Sequence, residues 1–161
     1  MNEVHLHLMM NHFPIISPML GLIVLLSGYF FSSEVIKRTG LGIFIIGALF
    51  TFPSMFTGDA AEDIAENLSG VSHDVIHHHE EWAEKMAWIS YLLGILSAFT
   101  IWSSWKNKSC SRYGFTGVLV LSLIGIFLGI KTGNSGGEIR HPEITSQISP
   151  APNNHEEGES E

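Results

Sequence analysis

Residues 14–31 read PIISPMLGLIVLLSGYFF, eighteen positions without a charged side chain. A hydrocarbon core about 30 Å thick is crossed by roughly 20 apolar helical residues, so this run predicts a membrane-spanning helix. Three more runs have the same signature: 41–56 (LGIFIIGALFTFPSMF), 86–105 (MAWISYLLGILSAFTIWSSW) and 115–130 (FTGVLVLSLIGIFLGI). The second and fourth are short for a span, so tilt or polar flanks complete them. Gly21 and Gly28, Gly42 and Gly47, Ser90, Gly94 and Ser97, and Gly125 and Gly129 put small side chains on helix faces, where backbones approach closely. The expectation is an all-α fold, a compact four-helix transmembrane bundle.

The chain has 161 residues, one domain by size, and is 45% hydrophobic despite a formal charge of -8. The acids sit between Asp59 and Glu84 and near the C-terminus, so the average charge describes two segments and not a whole surface. Cys110 is the single cysteine, which excludes an internal disulfide, a CxxC site and covalent haem attachment through CxxCH. No basic stripe or base-stacking motif points to nucleic acid. No basic stretch or small-residue cleavage site accompanies the first apolar run, which reads as a retained helix with a signal anchor as its nearest alternative.

Lys37 and Arg38 in the loop 32–40, with Lys106, Lys108 and Arg112 in the loop 106–114, make up five of the eight basic residues. Both loops are therefore expected in the cytoplasm, and both termini and the segment 58–85 outside. Residues 59–68, DAAEDIAENL, continue the second helix past the membrane, and Ser69-Gly70 stop it. Ser72 and Asp74 start the third helix, which runs to Trp105 without a proline. Helices two and three are thus expected to form an extracytoplasmic hairpin projecting about two or three turns. The membrane domain covers 1–143, and the Gly-, Pro-, Ser- and Glu-rich residues 144–161 read as a disordered acidic tail. The sequence shows no internal repeat.

All nine histidines fall on the outer side of this topology: His5, His7, His12, His73, His77, His78, His79, His141 and His155. Three chain-distant segments would bring imidazoles to one rim of the bundle, as a polydentate site requires. At 100° per residue, Val75, His78, Trp82, Met86, Ile89 and Leu93 form one stripe, which points His78 toward the core. His79 lies on a face with Ala83, Met86, Ser90 and Ser97, where small side chains leave room for a flat cofactor. His73 and His77 share another face, with Glu66 expected opposite the first and Glu62 or Asp63 opposite the second. His5, His7 and His155 read as surface residues, and the tryptophans as packing and interface residues.

The motifs HFPI at the first helix, HEEWA in the third and GGEIRH after the fourth resemble a family of bacterial four-helix membrane proteins of unassigned function. The resemblance covers 11–143 and implies a bacterial cytoplasmic membrane protein. Haem binding is suspected in some relatives, and the histidines matching by position are His12, His79 and His141. The tail departs from the family pattern, with HPEI in place of a more apolar ending.

The leading expectation is a redox-associated, electron-transferring membrane protein with a haem b or metal centre on its outer face, held by His12 and His79, with His141 nearby. A periplasmic or membrane redox partner and self-association are the partners to expect. The runner-up is a divalent-metal site for copper, zinc or iron, built from Asp59, Glu62, Asp63, His73, His77, His78 and Glu80 and serving sensing or transport. A third reading is a cofactor-free assembly subunit. No nucleophile motif or phosphate-binding loop argues for an enzyme. The middles of the spans hold no ionisable residue to mark a transport path.

Overall fold

The computed structural model describes residues 3–66, 72–106 and 109–140, and all regular structure among them is helical. The helices are α1 (Glu3–Met10), α2 (His12–Phe30), α3 (Glu34–Ala65), α4 (His73–Trp105) and α5 (Ser111–Arg140). Four stretches are long and apolar enough to cross a membrane: Val4–Phe30, Glu34–Glu62, His73–Trp105 and Ser111–Ile139. Each contains one expected span, and the two short runs are completed by polar helical flanks. The Ser69-Gly70 stop, the tail 144–161 and His155 lie outside the described residues.

Local chemistry sets the helix ends. Ser33 and Ser72 are extended N-caps whose hydroxyls accept the N–H of Ile36 and Val75, and Glu34 and Asp74 place negative charge on the first turns. α2 closes with the Ser33 N–H on the Gly28 carbonyl and the Ser32 N–H on the Tyr29 carbonyl. That closure needs a left-handed residue, and the position is held by Ser32 at φ 51°. Glycine adopts this conformation without the Cβ clash, so Ser32→Gly is expected to stabilise the fold by about 1 kcal/mol, read as a raised midpoint of thermal unfolding in detergent.

Proline decides where the first span breaks. Pro14 has no N–H to give the Met10 carbonyl, and the helix is interrupted at Asn11. Nδ1 of His12 donates to the Leu8 carbonyl across the break. α1 then packs on the far end of α3.

Small hydroxyls share the interior with a buried cluster of Leu25, Leu41, Phe44, Leu93, Phe115 and Val118, and the outside is oily. Eleven Ser and Thr side chains are buried, and no charged side chain is buried among the described residues. Phe30, Leu49, Phe52, Phe56, Trp88, Ile95 and Leu123 are exposed by 60–83% or so, at 83%, 68%, 71%, 73%, 64%, 69% and 60%. In water such a surface would drive aggregation, whereas in lipid it is the solvated face. Five of the buried hydroxyls, those of Thr51, Thr57, Thr100, Ser122 and Ser135, bond to carbonyls of their own helix. They present little bulk and no unpaired donor, which lets the helices approach closely.

Residue identity shows no internal repeat, yet the pattern of buried positions recurs along the chain. The buried residues of α2, Pro14, Pro18, Gly21, Leu25 and Gly28, each have a buried counterpart 72 positions later in α4: Met86, Ser90, Leu93, Ser97 and Thr100. Buried Gly40, Phe44, Gly47, Thr51, Ser54 and Thr57 of α3 recur 78 positions later in α5 as buried Val118, Ser122, Gly125, Gly129, Thr132 and Ser135. α2 and α4 each pack on both α3 and α5 and barely meet each other. Two like helix pairs thus surround one axis. Residue identity conceals the relation, because lipid-facing and core positions accept many small or apolar side chains; only the pattern of faces is retained.

Candidate functional site

The repeat relates His7 to His79 by the same offset of 72 positions that relates the buried faces of α2 and α4. Each ring lies on a glycine of another helix, His7 on Gly58 of α3 and His79 on Gly136 of α5. A Cβ added at Gly58 would stand 3.2 Å from His7 Cε1, and one at Gly136 would stand 3.1 Å from His79 Cε1. Those glycines end matching pentads, Ser-Met-Phe-Thr-Gly at 54–58 and Thr-Gly-Asn-Ser-Gly at 132–136. The hydroxyl-x-x-hydroxyl-glycine spacing puts all three small side chains on one helical face.

Hydrogen bonding then fixes the tautomer of both rings. His7 Nδ1 is 3.0 Å from the Ser54 carbonyl oxygen, which only accepts, so Nδ1 carries the proton. Thr57 Oγ1 stands 3.5 Å from the same nitrogen. His79 Nδ1 is 3.0 Å from Ser135 Oγ. The Ser135 hydroxyl donates to the Thr132 carbonyl, and the His79 ring meets that carbonyl too, so Nδ1 is again the donor. In the neutral imidazoles this leaves both Nε2 atoms with a lone pair, the arrangement in which a backbone or hydroxyl acceptor orients a metal-binding histidine. His7 and His79 lie in the same region, with Asp59 near His7 and Glu80 and His78 near His79.

Buried polar atoms without partners mark the same end of the interior. Asn11 Oδ1 and Thr132 Oγ1 are buried and unbonded, as are Ser90 Oγ and Ser97 Oγ further along α4. Asn11 follows His7 by one helical turn. Ile15, one turn further, packs on Gly129, and Thr132 lies nearly one turn past Gly129 toward His79. An unpaired buried polar atom costs about 1–3 kcal/mol, so this cluster is a natural place for a bound group to supply partners.

The other expected residues are spread along the surface. His12 is exposed and occupied with the Leu8 carbonyl. His73 Nδ1 is 3.1 Å from Glu66 Oε1, the partner expected for it. His77 lies between Glu80 at 3.4 Å and Glu81 at 3.8 Å, while Glu62 lies beside Glu80. His78 is exposed and accepts the Trp82 indole N–H at 3.1 Å, so it does not point into the core. Asp59 is exposed. The Asp63 side chain and the whole of His141 lie outside the described residues. Among those described, no three His, Cys, Asp or Glu side chains form a group able to hold a metal ion.

His7 is the residue that sequence reasoning missed. It reads as a surface histidine because it precedes the apolar run, yet the break before Pro14 turns it onto α3, where it is half-buried. The recurring pentads were the available signal. His78 was misplaced because its stripe is buried only further along α4, at Met86 and Leu93, while Val75, Trp82 and Ile89 are half-buried and His78 is exposed. Comparison with models of known protein families, with curated proteins and with solved structures finds no match to this chain.

Proposed function

We propose that this chain is a multi-pass protein of the bacterial cytoplasmic membrane that carries electrons through a haem b held between His7 and His79 at its outer end. The basic residues clustered at 32–40 and 106–114 support this orientation, with both termini outside and α3 and α4 projecting as a hairpin. The resemblance carried by HFPI, HEEWA and GGEIRH agrees with the location.

One observation carries the haem reading: two imidazoles oriented by hydrogen bonds keep free Nε2 atoms, and no three His, Cys, Asp or Glu side chains among the described residues form a group able to hold a metal ion. A simple divalent ion needs three or four protein ligands for useful affinity. Porphyrin supplies four nitrogens of its own, so His7 and His79 would be enough to hold the group. When bound, haem would supply one-electron chemistry. The chain's part is to hold each Nε2 in place through Ser54, Thr57, Thr132 and Ser135, and to offer Asn11 and Thr132 as polar contacts.

Absorbance spectra and metal analysis of the full chain purified in detergent test this. The expected result is a Soret band and one haem iron per chain, with reduced bands typical of two axial imidazoles. A preparation with neither a Soret band, even after haem is added, nor stoichiometric iron, copper or zinc would overturn it.

A further inference from the structure

We propose that the end of the bundle opposite the imidazoles binds a phosphate group, presented by an anionic phospholipid headgroup or free in solution. This site is independent of the haem reading. A cavity of about 410 Å³ opens there between the end of α2 and the starts of α3 and α5, a volume within the range of about 300–1,000 Å³ usual for small-molecule sites. Its lining includes Lys37, Arg38 and Arg112 against a single carboxylate, Glu34.

The cations are unevenly engaged. Lys37 is held by Glu34 at 2.7 Å and lies 4.6 Å from the centre of the Tyr29 ring. Arg38 donates from Nε and Nη2 to Ser104 Oγ, at 3.2 and 3.0 Å, which fixes the guanidinium and leaves further N–H groups free to donate. Neither Arg38 nor Arg112 is in an ion pair among the described residues. A planar guanidinium fork matches phosphate oxygens in pairs, and two such groups facing one cavity provide the charge that a phosphate monoanion or dianion requires. The hydroxyls of Ser109 and Ser111 add neutral donors, and Tyr29 with Phe115 forms an aromatic wall. Basic pockets between spans at the inner face are known to take anionic headgroups.

The test is native mass spectrometry of the full chain in detergent titrated with phosphatidylglycerol or phosphatidylcholine, with thermal unfolding in inorganic phosphate as a second readout. One phosphatidylglycerol is expected to bind at concentrations where phosphatidylcholine does not. Arg112→Gln, which changes an exposed side chain, and Arg38→Gln should each weaken it about tenfold, and Glu34→Gln, which removes the competing carboxylate, should tighten it. Displacement of the lipid by millimolar phosphate, with a raised unfolding midpoint in phosphate alone, would assign the site to the free ion. Lipid binding untouched by phosphate would assign it to the headgroup. Equal binding of both lipids with no phosphate effect, or wild-type affinity in Arg112→Gln and Arg38→Gln alike, would overturn the proposal.

Discussion

Haem is expected to be lost from His7→Ala and from His79→Ala but retained by His12→Ala. Each of the first two removes one axial nitrogen, and the expected weakening is at least about 100-fold, or roughly 2.8 kcal/mol. His12→Ala removes only a bond to the Leu8 carbonyl from an exposed ring, so its Soret band and haem content should match the parent protein. A merely structural role for His7 would not be rescued by another ligand, which makes His7→Met the informative companion. A thioether there should retain haem, shift the reduced bands and raise the midpoint potential, as exchange of imidazole for methionine does. Equal haem content in His7→Ala and the parent, with His12→Ala empty, would transfer the ligand role to His12 and sink the assignment made from the repeat.

The four long apolar helices were legible because a helix able to cross a membrane needs a long run nearly free of charge, and the sequence has four such runs. The start of α4 was equally plain, since Ser72 and Asp74 act through local chemistry and need no tertiary contact. Rotation of α4 was not. In water the oiliest stripe would face the core, which is the rule that sent His78 inward; in lipid both stripes are tolerated outside, and close approach decides. Gly94 illustrates the difference, since a Cβ there would come within 2.4 Å of Ala48 Cβ. His79 was found because it shares that small-residue face. His7 was not, because its place depends on a kink at Asn11 and on the docking of α1 against α3, contacts separated by 47 residues along the chain.

Alanine at Gly40 and alanine at Gly42 are expected to have opposite effects, although the two positions lie one residue apart from a shared neighbour, Leu41, on the same helix. A Cβ at Gly40 would come 2.8 Å from the Leu25 backbone nitrogen and 3.0 Å from the Gly21 carbonyl oxygen. Backbone cannot swing aside as a side-chain tip can, so α2 and α3 must separate, at a cost of about 1–3 kcal/mol. At Gly42 an added Cβ meets nothing within 4 Å, and alanine there should gain about 0.5–1 kcal/mol from helix propensity alone. Because that propensity gain is common to both substitutions, the difference between them isolates the cost of parting the two backbones. Thermal unfolding in detergent, followed by helical circular dichroism, should show a lower midpoint for Gly40→Ala and a slightly raised one for Gly42→Ala. The clash lies at the end of α2 and α3 remote from His7, so any haem bound to Gly40→Ala should keep its absorption maximum while being released at a lower temperature. A Gly40→Ala protein as stable as Gly42→Ala would mean that α2 and α3 do not touch through their backbones, and the docking of α1 on α3 would lose the crossing that positions it.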